Sequence, residues 1–120
     1  MSRYVVGITG ASGSIYGVRL VEELLKKGHE VYFVITENGR KVLEYELEIN
    51  FEAWIKECEE RWKRITFCPN DDLFSEIASG SFRTDGMIIA PCSMGTLAKL
   101  SSGIADNLLV RAADVTIKEK

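Results

Sequence analysis

An open α/β fold built on a parallel sheet follows from three stretches of the chain. The run Tyr4-Val5-Val6 leads into Gly7-Ile8-Thr9-Gly10-Ala11-Ser12-Gly13-Ser14-Ile15-Tyr16-Gly17, which opens an amphipathic segment. Val31-Tyr32-Phe33-Val34-Ile35 is apolar without interruption, the mark of a strand covered on both faces. Gly86-Met87-Ile88-Ile89-Ala90 is a third strand, closed by Pro91. Strand, glycine turn, helix and strand make a βαβ unit, whose crossover is expected to be right-handed.

The glycine turn points free N–H groups and a helix N-terminus at whatever lies above it, which favours an anion such as phosphate. Gly10 and Gly13 permit conformations and close approaches that a Cβ would block. Ser12 or Ser14 can add a hydroxyl or cap the helix. The spacing from Gly7 is G-x-x-G-x-x-G, which differs from the G-x-G-x-x-G dinucleotide fingerprint, and no Lys follows as in a P-loop. A tight turn that merely starts a helix is the plain alternative. Residues 15–27 carry Ile15, Val18, Leu20, Val21, Leu24 and Leu25 on one helical face, and Gly28 is a natural stop. His29 beside it reads as a surface turn residue. Thr36 falls just past the carboxyl end of the second strand, where ligands of open α/β sheets bind; its hydroxyl either meets a ligand or caps a helix over 38–45. Glu46, in the charged stretch 44–48, reads on its own as solvated surface.

Residues 51–64 form an amphipathic helical pattern with Phe51, Trp54, Ile55 and Cys58 on one side, and 65–67 suit a short strand. Pro69-Asn70-Asp71 is a turn, after which Asp71 or Asp72 is expected to cap a brief helix through Ile77. Residues 78–81 form a small polar loop. After Pro91, Ser93 and Thr96 bracket the start of a helix and again bring hydroxyls and free amides to a strand end. Cys92 has no His or evident base beside it and reads as a packed small hydrophobe in preference to a nucleophile. Gly103 breaks this helix. Residues 106–117 resume it, with Leu108, Leu109, Ala112 and Val115 inward and Arg111 and Lys118 off the pattern.

Composition narrows the function classes. At 120 residues the chain is expected to be a single domain, with 15 basic and 18 acidic side chains. No basic run interleaved with aromatics marks nucleic-acid binding. No stretch approaches the ~18 apolar residues of a membrane span, and the N-terminus lacks a leader pattern. Neither nucleic acid nor membrane is therefore an expected partner, and the cytoplasm is the expected location. Three cysteines without a C-x-x-C pair, and one histidine, argue against a disulfide framework, a metal site and a His-based triad. Three clear strands and a fourth at 65–67 are few for a doubly wound domain.

Four motifs carry a resemblance. They are residues 9–17, Ala78-Ser79-Gly80-Ser81, Pro91-Cys92-Ser93-Met94-Gly95-Thr96-Leu97, and Arg111-Ala112-Ala113-Asp114-Val115-Thr116-Ile117-Lys118-Glu119. In this order and spacing they closely resemble the UbiX-type flavin prenyltransferases, members of the homo-oligomeric flavin-containing Cys decarboxylase-like flavoproteins. The resemblance implies a Rossmann-like three-layer sandwich with a mostly parallel sheet, binding reduced FMN between subunits of a dodecamer without a metal. It implies transfer of a dimethylallyl group from dimethylallyl phosphate or diphosphate to flavin N5 and C6. The prenylated FMN would serve a UbiD-type decarboxylase, as in ubiquinone synthesis and aromatic acid metabolism.

By matching position, the resemblance assigns Gly10, Ala11, Ser12, Thr36, Ser93, Met94, Gly95 and Thr96 to FMN. Ser12 matches an active-site serine near flavin N5, and Glu46 an acidic residue beside the prenyl phosphate. Arg111 and Lys118 match basic residues of the phosphate pocket, so Ser12, Glu46 and Lys118 are the expected catalytic residues. An ordinary helix surface is the plain alternative for the two cations. Family members continue with an Arg, a buried strand ending in Pro-Arg-Glu, and a tail carrying Tyr and Arg. The chain is accordingly expected to be the N-terminal two-thirds of the family domain, with C-terminal strand(s) missing, weak folding, exposed strand edges and little turnover alone. A non-catalytic FMN-binding or assembly subunit is one competing reading. A flavin-dependent cysteine decarboxylase is another, although Pro-Cys-Ser-Met-Gly-Thr departs from the Pro-Ala-Ser-Ala-Asn-Thr of those enzymes and their catalytic His has no match. An NAD(P)-binding reductase comes last, since Thr36, not an acidic residue, ends the second strand.

Overall fold

In the computed structural model, which describes residues 2–119, four strands form one parallel sheet: β1 (Arg3–Ile8), β2 (Glu30–Ile35), β3 (Ile65–Phe67) and β4 (Gly86–Ile89). Their order is β3-β2-β1-β4. Val6 stands opposite Phe33 on one side and Ile88 on the other. From β1 the chain runs outward to β2 and β3, then returns to β4 on the far side of β1. The topological switch therefore lies between β1 and β4, where ligands of such sheets bind.

The unbroken apolar run in β2 has the predicted cause. Val31, Phe33 and Ile35 face one core, together with α1 (Ser14–Lys26), α2 (Glu37–Leu47) and α3 (Phe51–Trp62). There Phe33 stacks on Phe51 at 5.9 Å and meets Trp54 edge-on at 5.6 Å. Tyr32 and Val34 face a second core, formed with α5 (Leu108–Glu119) and the 3₁₀ turn Glu76–Ala78. Between β4 and α5 lies α4 (Met94–Ser102), which packs on α5. Helices on both faces of a parallel sheet make the Rossmann-like three-layer sandwich.

Local chemistry sets the boundaries. Lys27 caps α1, and the chain turns away at Gly28 with φ 84°. Asn50 Oδ1 accepts the Ala53 amide at 2.9 Å and starts α3. Gly103, at φ 73°, closes α4. Two stretches differ from the sequence reading. No helix is capped by Asp71 or Asp72; Asp72 Oδ1 accepts the Phe74 amide at 3.0 Å, and that local turn replaces the helical start. The last helix begins at Leu108, because Asn107 Oδ1 caps the Val110 amide at 3.0 Å while Asp106 pairs with Lys99. His29 is half-buried, its Nδ1 accepting the Ser2 amide at 3.2 Å and its ring edge-on to Tyr4.

Candidate functional site

The site is built where β1 and β4 end. Their ladder continues one step past each strand: the Ala90 amide donates to Gly7 O at 3.0 Å, and the Thr9 amide to Pro91 O at 3.1 Å. The Thr9 carbonyl, next in line to accept, is taken by the Ala11 amide at 2.9 Å, so the ladder stops there. A side chain takes over. The fully buried Thr9 Oγ1 donates to Pro91 O at 2.8 Å and accepts the Ser93 amide at 2.6 Å. Ser93 then starts α4, its Oγ accepting the Thr96 amide at 3.1 Å and donating to Thr96 Oγ1 at 3.0 Å. The loops 10–13 and 93–96 therefore stand side by side. Met94 and Gly95 are exposed above them and Thr96 is buried below; a Cβ on Gly95 would meet nothing within 4 Å.

The third wall comes from β2. Thr36 follows that strand, and its Oγ1 accepts the Gly39 amide at 2.9 Å, capping α2. Gly10 is pressed against the same helix, so that a Cβ there would lie 2.7 Å from that of Asn38. The structure thus brings Gly10, Ala11, Ser12, Thr36, Ser93, Met94, Gly95 and Thr96 to one edge of the sheet, with Ser12 exposed.

At the start of α1 the structure departs from a simple anion seat. Neither Ser12 nor Ser14 caps the helix; Gly13, at φ 100°, holds the cap position. The Glu46 carboxylate, from the last turn of α2, supplies the missing acceptor. Its Oε1 takes the Ser14 amide at 3.0 Å and the Gly13 amide at 3.2 Å. A residue that reads locally as solvated surface thus occupies the helix N-terminus, where negative charge is favoured. The Ser14 amide, with that of Gly13, holds the Glu46 carboxyl below the usual carboxylate range, against an opposing effect of burial. Ser14 Oγ is buried without a hydrogen bond of good geometry; it faces the Glu46 carboxylate and helps to hold that carboxyl low.

Lys118 is not brought to this edge within the chain, whereas Arg111, in the first turn of α5, stays at the carboxyl end of the sheet without a contact to the two loops. The α5 helix starts beside Asn70, past the end of β3, and finishes at loop 80–84, where a Cβ on Gly80 would lie 3.0 Å from Glu119 Oε2. That loop is tied to the start of β1 by Arg3 Nη1, which donates to Arg83 O at 3.0 Å. Lys118 therefore lies toward the opposite edge of the sheet, with its Nζ 3.0 Å from Asp114 Oδ2. Arg111 is exposed one turn into α5. Cys92 is exposed, not packed as its type suggested; partial burial pushes its thiol up and nothing activates it. A cleft of about 610 Å³ opens beside Thr36, between Arg40, Phe51, Phe67 and Asn107; it shares Thr36 with the cradle and no residue with the two loops. Arg40 there is already paired with Glu37 and Glu52. Among the described residues, no cluster of three or more His, Cys, Asp or Glu could hold a metal ion.

Sequence reasoning missed the role of Thr9, since nothing in the local pattern ties its hydroxyl to Pro91 and Ser93, more than 80 residues away. It also missed the cap made by Glu46, which reaches Ser14 from 32 residues away with no local pattern to announce it.

Two glycine-permitted loops and a capped helix at the switch point of a parallel sheet define a nucleotide-type cradle. The flavoprotein family model matches residues 1–120, and the chain belongs to that family. Over 121 residues it is 49% identical to the flavin prenyltransferase UbiX of Halalkalibacterium halodurans, covering 98% of this chain and 59% of that protein. It superposes on AnUbiX, solved in complex with FMN and dimethylallyl pyrophosphate, with TM-score 0.86 and 34% identity, covering 98% of this chain and 60% of that one. On a dodecameric FMN-dependent UbiX-like decarboxylase from Escherichia coli the TM-score is 0.88 at 37% identity, with 98% and 61% covered. The chain spans about three-fifths of the length of the relatives it matches.

Proposed function

We propose that this chain forms the flavin cradle of a prenyltransferase that moves a dimethylallyl group from dimethylallyl phosphate or diphosphate to reduced FMN. The observation that carries the reading is the pair of strand-end loops, 10–13 and 93–96, tied side by side at the switch point. The residues fit such a ligand. A buried Ser14 hydroxyl awaits a partner, and the space above Gly95 is open to a flat ring. Bound FMN would supply the nucleophilic ring that accepts the prenyl group.

The residues of the chain do the rest. Gly10, Ala11, Ser12, Thr36, Ser93, Met94, Gly95 and Thr96 bind and orient the flavin, with Ser12 nearest the reacting edge. Glu46, held ionised by the α1 amides, anchors that helix start and serves as a proton acceptor, not a donor. Arg111 and Lys118 lie outside the cradle of their own chain, and would stabilise the departing phosphate in the site of a neighbouring copy. The reading therefore includes a homo-oligomer, with the dodecamer of the Escherichia coli relative as the natural form, and closure between copies that excludes water. The product would pass to a UbiD-type decarboxylase in the cytoplasm, a compartment suited to the unpaired Cys58, Cys68 and Cys92.

The test is titration of FMN into the chain, followed by flavin fluorescence and calorimetry, and then addition of dimethylallyl phosphate to the reduced complex. Saturable binding of one FMN per chain and a new flavin spectrum after prenyl donor are expected. Absence of binding would overturn the flavin reading. Binding without the spectral change would favour a non-catalytic FMN-binding subunit, a reading supported by the position of Lys118 toward the opposite edge of the sheet.

A further inference from the structure

We infer that Thr9 is a positioning residue, whose buried hydroxyl sets the spacing between the two loops that hold the flavin. The inference rests on the flavin reading for its ligand, though not for its geometry. Thr9 is fully buried beneath the cradle and belongs to neither exposed loop. Its single hydroxyl makes two bonds to one neighbouring segment, donating to Pro91 O at 2.8 Å and accepting from the Ser93 amide at 2.6 Å. These bonds stand just past the last rung of the β1–β4 ladder, where the Thr9 carbonyl has turned to accept the Ala11 amide at 2.9 Å. A backbone register is thereby carried two residues further by a side chain. Its far end is Ser93, whose own hydroxyl caps α4 through the Thr96 amide and donates to Thr96 Oγ1. A displacement at Thr9 would pass through Ser93 to every polar group that loop 93–96 presents.

The chemistry asks for a short side chain with a hydroxyl, which donates and accepts at once. Valine fills the same volume but offers neither donor nor acceptor, leaving the Ser93 amide without its acceptor. A buried amide without a partner costs more than the bond itself contributes, so the loop would move to find water. Serine keeps both bonds and loses only a methyl group.

The wild type, Thr9→Val and Thr9→Ser are compared by amide hydrogen exchange without flavin and by FMN titration. In Thr9→Val, exchange at the Ser93 and Thr96 amides should quicken by about tenfold or more while that of β2 stays unchanged. The Kd for FMN should rise on the order of tenfold, and Thr9→Ser should stay within about twofold of the wild type in both. A residue that only supports the fold would alter exchange across β1 and β2 together, without the local signature and without rescue by serine. Thr9→Ala replaces the valine variant if that fails to fold. Wild-type exchange at Ser93 in the hydroxyl-free variant would overturn the inference, as would quickened exchange with unchanged FMN affinity. Should the wild type itself bind no FMN, the flavin reading falls, and the exchange data alone decide whether Thr9 sets the loop spacing.

Discussion

Glu46 changes the chemistry expected of the glycine turn. Two free amides at the start of α1 read as a seat for phosphate, but the protein fills that seat with its own carboxylate. The folded pKa lies below the ordinary value of 4.5, so the stabilisation is present above that value and disappears as pH falls through the lowered one. Glu46→Ala should therefore lower Tm by a few degrees at pH 7, and the gap to wild type should narrow in acid; equal gaps at pH 7 and in acid would refute the ionised cap. Thr36 and Ser93 were legible as caps because a cap acts within three residues of itself. Glu46 was not, because the helix it caps precedes it by a whole βα unit.

Helix α1 depends on a close approach as much as on its amphipathic face. A Cβ on Gly17 would press into the Ala90 carbonyl and sit 2.7 Å from Ile8 Cδ1. Gly17→Ala should destabilise the chain by roughly 1–3 kcal/mol, measured by urea unfolding, despite alanine's better helix propensity. A stabilising result would show that α1 can slide off the sheet. The pattern of hydrophobic residues found α1 and β2 because each meets a core along its length, and found β4 from its apolar run alone, since that strand is only half-buried and leaves Ile88 exposed. It failed over 70–78, where the chain is held by an Asx turn and one 3₁₀ turn, features too short to show a period. It also placed the start of α5 two residues early, since periodicity locates a buried face and not the residue that caps it.

The molecule as a whole presents its cradle at one sheet edge and the end of α5, with Lys118, toward the other. If neighbouring copies complete each other's sites, Ser12→Ala and Lys118→Ala are defects in different halves of one site. Each variant alone should lose most turnover, and an equimolar mixture reassembled from subunits should regain about a quarter of wild-type turnover, the share of sites drawing an intact residue from each copy. No recovery on mixing would place both residues in a single chain's site. This arrangement was only half readable. The parallel sheet and its two covered faces followed from β2 and the glycine turn, whereas the strand order and the direction in which α5 carries its cations depend on packing that no local pattern records.

Asn70 ties the two layers in time as well as in space. Its main-chain carbonyl accepts the Leu108 amide at 2.9 Å and its side chain the Leu109 amide at 2.8 Å, so a residue 39 positions upstream holds the first turn of α5. The βαβ unit can form from contacts within its own 35 residues, but α5 has only its local Asn107 cap until the segment after β3 has arrived. Contacts that close longer loops form more slowly. The α1–α3 layer is therefore expected to form first and α5 to dock afterwards, so that in refolding followed by pulsed hydrogen exchange the amides of α1 and β2 gain protection before those of α5.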